Sequence, residues 1–480
     1  MQHEVAAGQR WTTLPVPDIG GWTPTERVAV VLPARDNQLE LDRTLATLAH
    51  QTYPAELLEV VVVDDASEPP LRLPALAPPG TFLVRRDEAQ SHGSGAARHA
   101  GAVATDAPIV LFLDSDMLAD PAHVEAHARW HHVCDHALVL GRKWFVSVDD
   151  LDPEGIDRAG REGTGVGDLL TGRRWRTHQW QEDQIELQDR LTQDVDDVFL
   201  TVVGATVSVR RELYDRAGGF AAFGLRGIVD TEFGYRAFTR GALVVPDGQA
   251  RCWHQGARNF ATRGGEIKRA RVGLAANHLP IPMFRPQNRG RMWAVPMVRV
   301  LVDVTSSGPG VLDDGAAERL LLTVDSVLGS DLTDLAVTVV TGSTRLPSWW
   351  LDYLGSEPRV VVCDAAPATG FPSPLTVVVP PGVVVAPDSL STAVGLLSDD
   401  VRVVRTLPDA YASPSLEVWR TRTLERALRA GLDAVEPEVV GERWCPPHAL
   451  GVRPAAARIT PQGMVAGSWP APLTVDGTSR

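Results

Sequence analysis

The chain has 480 residues, of which 44% are hydrophobic and 22% charged, so it can bury the cores of two or three domains of ordinary size. Its 60 acidic and 46 basic side chains give a formal net charge of −14, which argues against non-specific binding to nucleic acid. There is no uninterrupted apolar run of about 18 residues and no charged start followed by an apolar segment, so we expect neither a membrane span nor a signal peptide.

Residues 1–26 are polar and punctuated by proline and glycine, and we interpret them as a leader. Beyond them, apolar β-branched runs typical of strands alternate with segments of helical spacing. In chain order the pattern predicts strand Arg27–Asn37, helix Leu39–Gln51, strand Leu58–Ser67, helix Gly93–Thr105 and strand Ala107–Met117. Strands that are apolar on both faces and alternate with helices predict a parallel α/β sheet.

Acidic side chains follow two of these strands. Asp64 and Asp65 close the second strand, and Asp114 and Asp116 close the third. Ligands of parallel α/β sheets bind at the carboxyl ends of the strands. We therefore expect the four carboxylates to share one crevice.

The motif Asp114-Ser115-Asp116 directly follows an apolar run, a setting in which an unpaired charge is costly. Two carboxylates at this spacing suit Mg²⁺ or Mn²⁺, which commonly bridge from the protein to substrate phosphates. A short D-x-D pattern also occurs in solvated turns, but the apolar run before it favours a metal site.

Three later residues are further candidates. Asp230 opens a helical pattern and is either a carboxylate favoured by the helix dipole or a general base. His254, in CWHQG, is structural by default, but beside a D-x-D motif in the same domain we predict a third metal ligand. Arg98, in a helix start with Gly93 and Gly95, serves either close packing or contact with phosphate.

The second half of the chain repeats the order of the first. Leu335–Thr344 aligns without gaps on Leu58–Ser67, and Ser373–Pro387 aligns without gaps on Ala107–Pro121. Residues 415–431 likewise echo residues 206–219. Generic α/β patterning can mimic a repeat, but alignments without gaps favour a true duplication.

The repeated segment has lost the acidic residues. Thr341 and Gly342 replace the first acidic pair, and Pro380 and Gly382 replace Asp114 and Asp116. We therefore predict a catalytic domain over 27–296, a degenerate copy of the same fold over 297–435, and a tail over 436–480.

The motifs, in their order, resemble family 2 glycosyltransferases of the GT-A fold. They are LPARDN, VVVDDAS, GSGAARHAG, LFLDSDM, VGATVSVRREL, VDTEFGYR and CWHQG, and they cover roughly residues 27–256. The segment LRGIVDTEFGYRAFTRGALVVP is similar to the galactosyl- and N-acetylgalactosaminyltransferase type, including chondroitin-polymerase-like enzymes. The resemblance implies a GT-A nucleotide-diphospho-sugar transferase domain with a Rossmann-like mixed sheet.

The resemblance also implies a role for each matching residue. The nucleotide would be held by Pro33, Ala34, Asp64, Asp65, Arg98 and Asp114. Asp114 and Asp116 would serve ribose and metal, with Asp116 the direct ligand and His254 completing the metal site. Asp230 would be the base of an inverting transfer.

The sequence departs from the family pattern at three points. Val229-Asp230 stands where such enzymes usually carry Glu-Asp, so one carboxylate is missing beside the expected base. Ala205-Thr206 stands where an asparagine is frequent, and LPARDN lacks an aromatic before Asn37. These departures leave the metal and nucleotide motifs intact.

The expected function is metal-dependent, inverting transfer of a hexose or N-acetylhexosamine from a nucleoside diphosphate sugar, with UDP as the expected nucleotide. The acceptor would be a hydroxyl of a glycan, a lipid-linked substrate or a natural product, as in polysaccharide biosynthesis. Two alternatives are a sugar-nucleotide nucleotidyltransferase, for which the glycine-rich signature after the first strand is missing, and a non-catalytic scaffold.

The expected partners are a nucleotide-sugar donor and an acceptor, with no nucleic acid. The four widely spaced cysteines lack metal-site spacing and suit free thiols in a reducing cytoplasm. Peripheral membrane association and homo-oligomerisation are both left open by the sequence.

Two further segments each allow two interpretations. The basic residues Arg258, Arg263, Lys268, Arg269 and Arg271 either fold over the diphosphate as a lid or form a solvated face. Trp175 and Trp180 either stack on acceptor sugars or pack within a loop, and packing is slightly favoured.

Overall fold

The computed structural model describes residues 8–224, 228–256, 269, 271–285, 290–365, 367–407, 416–431 and 440–455. The chain divides into two compact units, Met1–Leu279 and Pro280–Arg480. The predicted domain boundary at 296/297 lies shortly after this division and stays a prediction. In the described ranges, no helix is long and apolar enough to cross a bilayer.

Unit 1 is built on a mixed sheet in the strand order β3-β2-β1-β4-β8-β6-β9-β5, with β7 paired to β6. Strands β1 to β4 are parallel to one another, and β8 enters antiparallel to both β4 and β6. The strands are β1 Val28–Ala34, β2 Leu58–Asp65, β3 Thr81–Arg86, β4 Ile109–Leu113, β5 Met117–Ala119, β6 Ala137–Val146, β7 Arg176–Thr177, β8 Thr206–Arg210 and β9 Leu243–Gln255.

Helices pack on this sheet between the strands. They are α1 Gln38–Leu48, α2 Ser94–Val103, α3 His123–Val133, α4 Pro153–Arg161, α5 Val166–Leu169, α6 Gln179–Leu187, α7 Arg211–Arg216 and α8 Val229–Thr239, with 3₁₀ turns at Trp11–Thr13, Ala55–Leu57, Glu88–Gln90 and Val198–Thr201. Residues 271–278 are also helical.

The central strands are buried because their sequences are apolar on both faces, as predicted. The side chains of β1 from Val28 to Leu32 are fully buried. Helix α2 lies close against β1 and β2, since a Cβ placed on Gly101 would come within 2.4 Å of Val31 Cγ1. The small residues of this helix therefore allow it to lie close to the sheet.

The segment predicted as a leader is packed against α3 from residue 8 onward. Trp11 is buried and meets Trp130 edge-on, with ring centroids 5.8 Å apart. Gly20 N and Trp22 Nε1 both donate hydrogen bonds to the buried Glu125 carboxylate, at 2.6 and 3.1 Å. The described part of this segment is thus an integral part of unit 1.

Helix α3 carries three buried histidines at helical spacing, His123, His127 and His131. Their ring nitrogens meet the hydroxyls of Thr206 and Ser208 on β8 at 2.7 to 3.2 Å. Burial lowers the pKa of His123 to about 4 and that of His131 to about 3, and it also lowers the pKa of His127. All three are therefore neutral in the folded protein near pH 7.

We expect this row to make the protein acid-sensitive between pH 6.5 and about 4. An unfolded histidine takes up a proton below about pH 6.5, whereas the folded ones do not, so unfolding is favoured as the pH falls. For each histidine, the free energy of unfolding should fall by up to about 1.4 kcal/mol for each pH unit of acidification. Denaturant unfolding of His131→Gln at several pH values should show a shallower slope than the parent.

The matched control is His132→Gln, since His132 is the exposed neighbour on the same helix. Its slope should equal that of the parent. If the pH dependence of the free energy of unfolding is the same in His131→Gln and His132→Gln, the acid sensitivity does not come from the buried row.

Unit 2 contains a seven-stranded sheet and two two-stranded ones. Its strands are β10 Val298–Asp303, β11 Gly310–Val311, β12 Leu335–Val340, β13 Thr344–Arg345, β14 Val360–Cys363, β15 Leu375–Val378, β16 Val383–Val385, β17 Val403–Thr406, β18 Glu417–Arg420, β19 Glu442–Cys445 and β20 Val452–Pro454. Its helices are α9 Asp314–Leu328, α10 Ser348–Leu354, α11 Ser389–Gly395 and α12 Thr421–Ala430, with 3₁₀ turns at Thr305–Ser307 and Pro447–Leu450.

The seven-stranded sheet of unit 2 repeats the topology of unit 1. Its order, β14-β12-β10-β15-β18-β17-β19, matches β3-β2-β1-β4-β8-β6-β9 strand for strand, and each neighbouring pair keeps its parallel or antiparallel sense. The register also agrees with the sequence alignment: Val28 pairs with Leu58 and Ile109, and Val298 pairs with Leu335 and Leu375. The predicted second α/β domain of the same fold is confirmed.

The repeat continues to β20. Strand β5 pairs antiparallel with the end of β9, where Met117 faces His254, and β16 pairs in the same way with β20, where Val383 faces Pro454. Since Met117 aligns with Val383, Pro454 stands where unit 1 has His254. The residue predicted as the third metal ligand is thus also replaced in unit 2.

Candidate functional site

The site lies at the carboxyl ends of β1, β2 and β4 and the end of β9 in unit 1. The loop after β4 is fixed to β1 through Ser115, which is buried between the two aspartates of the motif. Ser115 Oγ donates to Pro33 O at 2.8 Å and accepts from Asn37 Nδ2 at 2.8 Å. Ala34, beside Pro33, is also buried. Ser115 was not among the predicted site residues. The signal that could have found it is its position between the two aspartates of the motif, where a buried polar side chain can fix the loop.

Asp64 is committed to the fold of its own loop. Its carboxylate accepts hydrogen bonds from Ser67 N and Leu71 N, both at 3.0 Å, and from Arg85 Nη1 at 3.1 Å. The side chain is almost completely buried. Asp64 therefore shapes the loop after β2.

Asp65 points to the other side of the same strand end. It accepts from Arg86 Nη1 at 2.6 Å and from Ser91 Oγ at 3.1 Å. Asp65 is buried and the side chain of Arg86 is only 10% exposed, so this pair fixes the segment that leads into α2. The assignment of Asp64 and Asp65 to the nucleotide stays a prediction.

Arg98 joins two carboxylates that are far apart in sequence. Its Nη2 donates to Asp114 Oδ1 at 2.6 Å and its Nη1 donates to Asp230 Oδ1 at 2.9 Å. Burial alone would lower the pKa of Arg98, but the charges of Asp230 and Asp114 outweigh it and raise the pKa. The guanidinium is thus a buried, permanent cation that holds the predicted base beside the metal motif.

Glycines make this approach possible. A Cβ on Gly204 would lie 2.5 Å from Asp230 Oδ1 and 2.7 Å from Arg98 Cζ. A Cβ on Gly95 would lie 2.9 Å from Val229 Cγ1, so the buried Val229 packs on α2. The valine at this departure from the family pattern therefore occupies a packing position, and Gly204 is a site residue for which the sequence predicted no role.

Asp116 and His254 form the second half of the site. His254 Nε2 lies 3.2 Å from Asp116 Oδ2. Burial alone would lower the pKa of His254, but the hydrogen bond to Asp116 and the charges of Asp116 and Asp114 outweigh it and raise the pKa. Asp116 Oδ1 is buried and has no hydrogen-bond partner.

These atoms fit a hard divalent cation. A buried carboxylate oxygen without a partner, next to an imidazole nitrogen, is the donor set that Mn²⁺ or Mg²⁺ accepts. In the described part of the chain, no group of three or more His, Cys, Asp or Glu side chains is arranged to hold a metal ion. Two protein ligands suffice where substrate phosphates complete the coordination, which is the usual mode for Mg²⁺. The three-residue set Asp114, Asp116 and His254 stays a prediction.

The structure describes the surroundings of Trp175 but only part of the basic segment. Trp175 packs against Trp144 and Trp253, at ring distances of 5.9 and 5.5 Å, in agreement with loop packing. Arg258, Arg263 and Lys268 of the basic segment lie outside the described residues, and Arg269 is exposed.

Part of unit 1 matches a known protein family. Residues 29–201 match the model of glycosyl transferase family 2. This segment is a family 2 glycosyltransferase domain. The resemblance inferred from the motifs is therefore confirmed for the segment that carries them up to Thr201.

Two curated relatives match a shorter stretch. Both are validoxylamine A glucosyltransferases of Streptomyces hygroscopicus, one from subspecies limoneus and one from subspecies jinggangensis, and both are 36% identical over 101 residues. The match covers 21% of this chain and 22% or 24% of the relatives. The chain thus spans less than a quarter of the length of the curated relatives it matches.

The matches among solved structures are more distant. The mannosyltransferase PcManGT from Pyrobaculum calidifontis, in complex with GDP-Man and Mn²⁺, is 18% identical with a TM-score of 0.34, covering 58% of this chain and 74% of that one. TarS 1-349 of S. aureus, in complex with UDP-GlcNAc, is 17% identical with a TM-score of 0.34, covering 54% and 68%. Similarity at this level assigns neither donor nor acceptor.

Proposed function

We propose that unit 1 transfers a hexose or N-acetylhexosamine from a nucleoside diphosphate sugar, UDP being the first candidate, to an acceptor hydroxyl with inversion at the anomeric carbon. The acceptor is a glycan, a lipid-linked substrate or a small molecule. The names of the curated relatives, which are glucosyltransferases, support hexose transfer. The cytoplasm, with its nucleotide sugars, is the proposed place of action.

The observation that carries this proposal is that one buried arginine, Arg98, contacts both the metal motif and the proposed base. Arg98 holds Asp114, in the metal motif, and Asp230, the proposed base, at 2.6 and 2.9 Å. A nucleotide-sugar donor bound at Asp114 would therefore lie next to Asp230. A nucleotidyltransferase would also need a glycine-rich signature after the first strand, which LPARDN lacks.

Each side chain then has a task that its surroundings allow. Asp230 is partly exposed, at 19% of its side chain, and can accept the proton of an acceptor hydroxyl. Arg98 keeps this carboxylate in place, and its own side chain is held in position because it is buried. Asp116 and His254, with Asp114, would hold Mn²⁺ or Mg²⁺, and the ion would neutralise charge on the departing diphosphate.

Calorimetric titration with UDP, in the presence and absence of Mn²⁺, tests the proposal. We expect binding that requires the metal and that weakens at least about tenfold in Asp116→Asn, because one charged metal ligand is lost. Asp352→Asn, an exposed carboxylate in unit 2, is the matched control and should bind UDP as the parent does.

Two outcomes would contradict the proposal. UDP binding that is equally strong without metal would remove the role of Asp116. Absence of binding to any nucleoside diphosphate would favour the scaffold alternative for both units.

We propose that unit 2 is non-catalytic. Its counterparts of the acidic residues and of His254 are Thr341, Gly342, Pro380, Gly382 and Pro454. Thr341 Oγ1 instead donates to Asp364 Oδ1 at 3.2 Å, and the paired strands place Asp364 where unit 1 has Arg85. The ion pair at the end of the second strand has thus been replaced by a neutral–acidic hydrogen bond.

A further inference from the structure

Strands β6 and β9 present alternate residues to two different aromatic environments, as the two-residue period of a strand requires. On one face, Trp253 is buried, stacks on Trp144 at 5.5 Å, and meets Trp175 edge-on. On the other face, His254 lies 5.0 Å from the ring of Phe145. The first face is core, and the second carries the Asp116–His254 pair.

A row of rings continues from His254 along the second face. Phe145 stacks with His178 at 6.0 Å, and His178 meets Trp180 edge-on at 6.1 Å. Trp180 ends the row and is 44% exposed. Trp175 is also partly exposed, but its ring lies against Trp253 and its Nε1 donates to Leu170 O at 3.3 Å. The two tryptophans of GRRWRTHQWQ therefore have different surroundings.

The turn of α6 that carries Trp180 is anchored on both sides. Gln181, which is buried, donates to Thr201 O at 2.8 Å and accepts from Lys143 Nζ at 3.2 Å. Glu182 accepts from Arg142 Nε at 3.0 Å. Trp180 is therefore an exposed indole on a turn whose two following side chains are held by hydrogen bonds.

We propose that Trp180 is an acceptor subsite that stacks against a saccharide ring of an acceptor with at least two rings. This inference rests on the proposed function. The apolar C–H face of a pyranose complements the face of an indole, and the polar edge of the sugar can stay in water. Two rings intervene between His254 and Trp180, so a sugar stacked on Trp180 is not the one that receives the transferred group.

The test is saturation-transfer NMR on the full chain with UDP and Mn²⁺, using cellobiose, maltose and lactose as probes. We expect at least one disaccharide to receive saturation from the parent, with the signal at least about fivefold lower in Trp180→Ala and partly retained in Trp180→Phe, because a smaller ring still stacks. Trp175→Phe is the matched control and should keep the parent signal. UDP affinity is measured for every variant by calorimetry.

The two levels of the proposal fail in different ways. No binding of any nucleoside diphosphate by the parent would overturn the proposed function itself. UDP binding without any disaccharide signal, or an equal signal in the parent and Trp180→Ala, would overturn the subsite alone. A Trp180→Ala variant that loses UDP affinity and disaccharide signal together would also overturn it, since Trp180 would then contact the donor.

Discussion

Replacing Asp230 with asparagine is expected to lower the rate of sugar transfer by about 10²- to 10⁴-fold, the usual contribution of a general base. The change keeps the shape of the side chain and removes its ability to take a proton. Asp230 Oδ1 is held by Arg98 Nη1 at 2.9 Å, and 19% of its side chain remains open to solvent and substrate. The loss should therefore be in kcat, with UDP binding nearly unchanged.

Product formation from a radiolabelled UDP-sugar, under single-turnover conditions, measures this loss. Asp215→Asn is the control, because Asp215 is an exposed carboxylate of the same unit. An Asp230→Asn enzyme with more than a tenth of the parent rate would remove Asp230 from the role of base. Another group would then have to accept the proton.

The part of the fold that follows local rules was predictable from the sequence. Continuous apolar runs predicted β1, β2 and β4, and the aspartates that follow them lie at the strand ends, because polar residues emerge where a buried strand stops. The gapless alignment of Leu335–Thr344 with Leu58–Ser67 predicted a register that the second sheet follows.

The contacts within the site were not predictable in the same way. Arg98 and Asp230 are 132 positions apart, and no local pattern states which carboxylates a buried arginine will meet. Gly204 is required only because two charged groups converge beside it. The hydrogen bonds of Asp64 to the backbone of its own loop depend on a turn that the apolar pattern does not encode.

Removing the Arg98 cation is expected to destabilise unit 1 far more than removing an arginine of a surface ion pair. Arg98→Met leaves Asp114 and Asp230 facing each other without their common partner. Breaking a buried ion pair from one side costs about 3 to 5 kcal/mol. In a unit of this size the thermal midpoint should fall on the order of 10 °C.

A double variant separates the charge effect from lost packing. In Arg98→Met with Asp230→Asn, one of the two uncompensated charges is gone, so the midpoint should recover part of the loss seen in Arg98→Met. Arg173→Met is the control: it removes a two-pronged arginine bond to Asp150 that lies at the surface, where screening by water leaves little stability to lose.

The pattern of midpoints decides how Arg98 acts. If the two changes add without coupling, the bridge contributes packing only, and the buried cation is not what holds base and metal motif together. If the double variant recovers, the charge of Arg98 is what stabilises two carboxylates at adjacent positions. The same cation would then link donor binding at Asp114 to proton transfer at Asp230, because neither carboxylate can move without disturbing the guanidinium that both share.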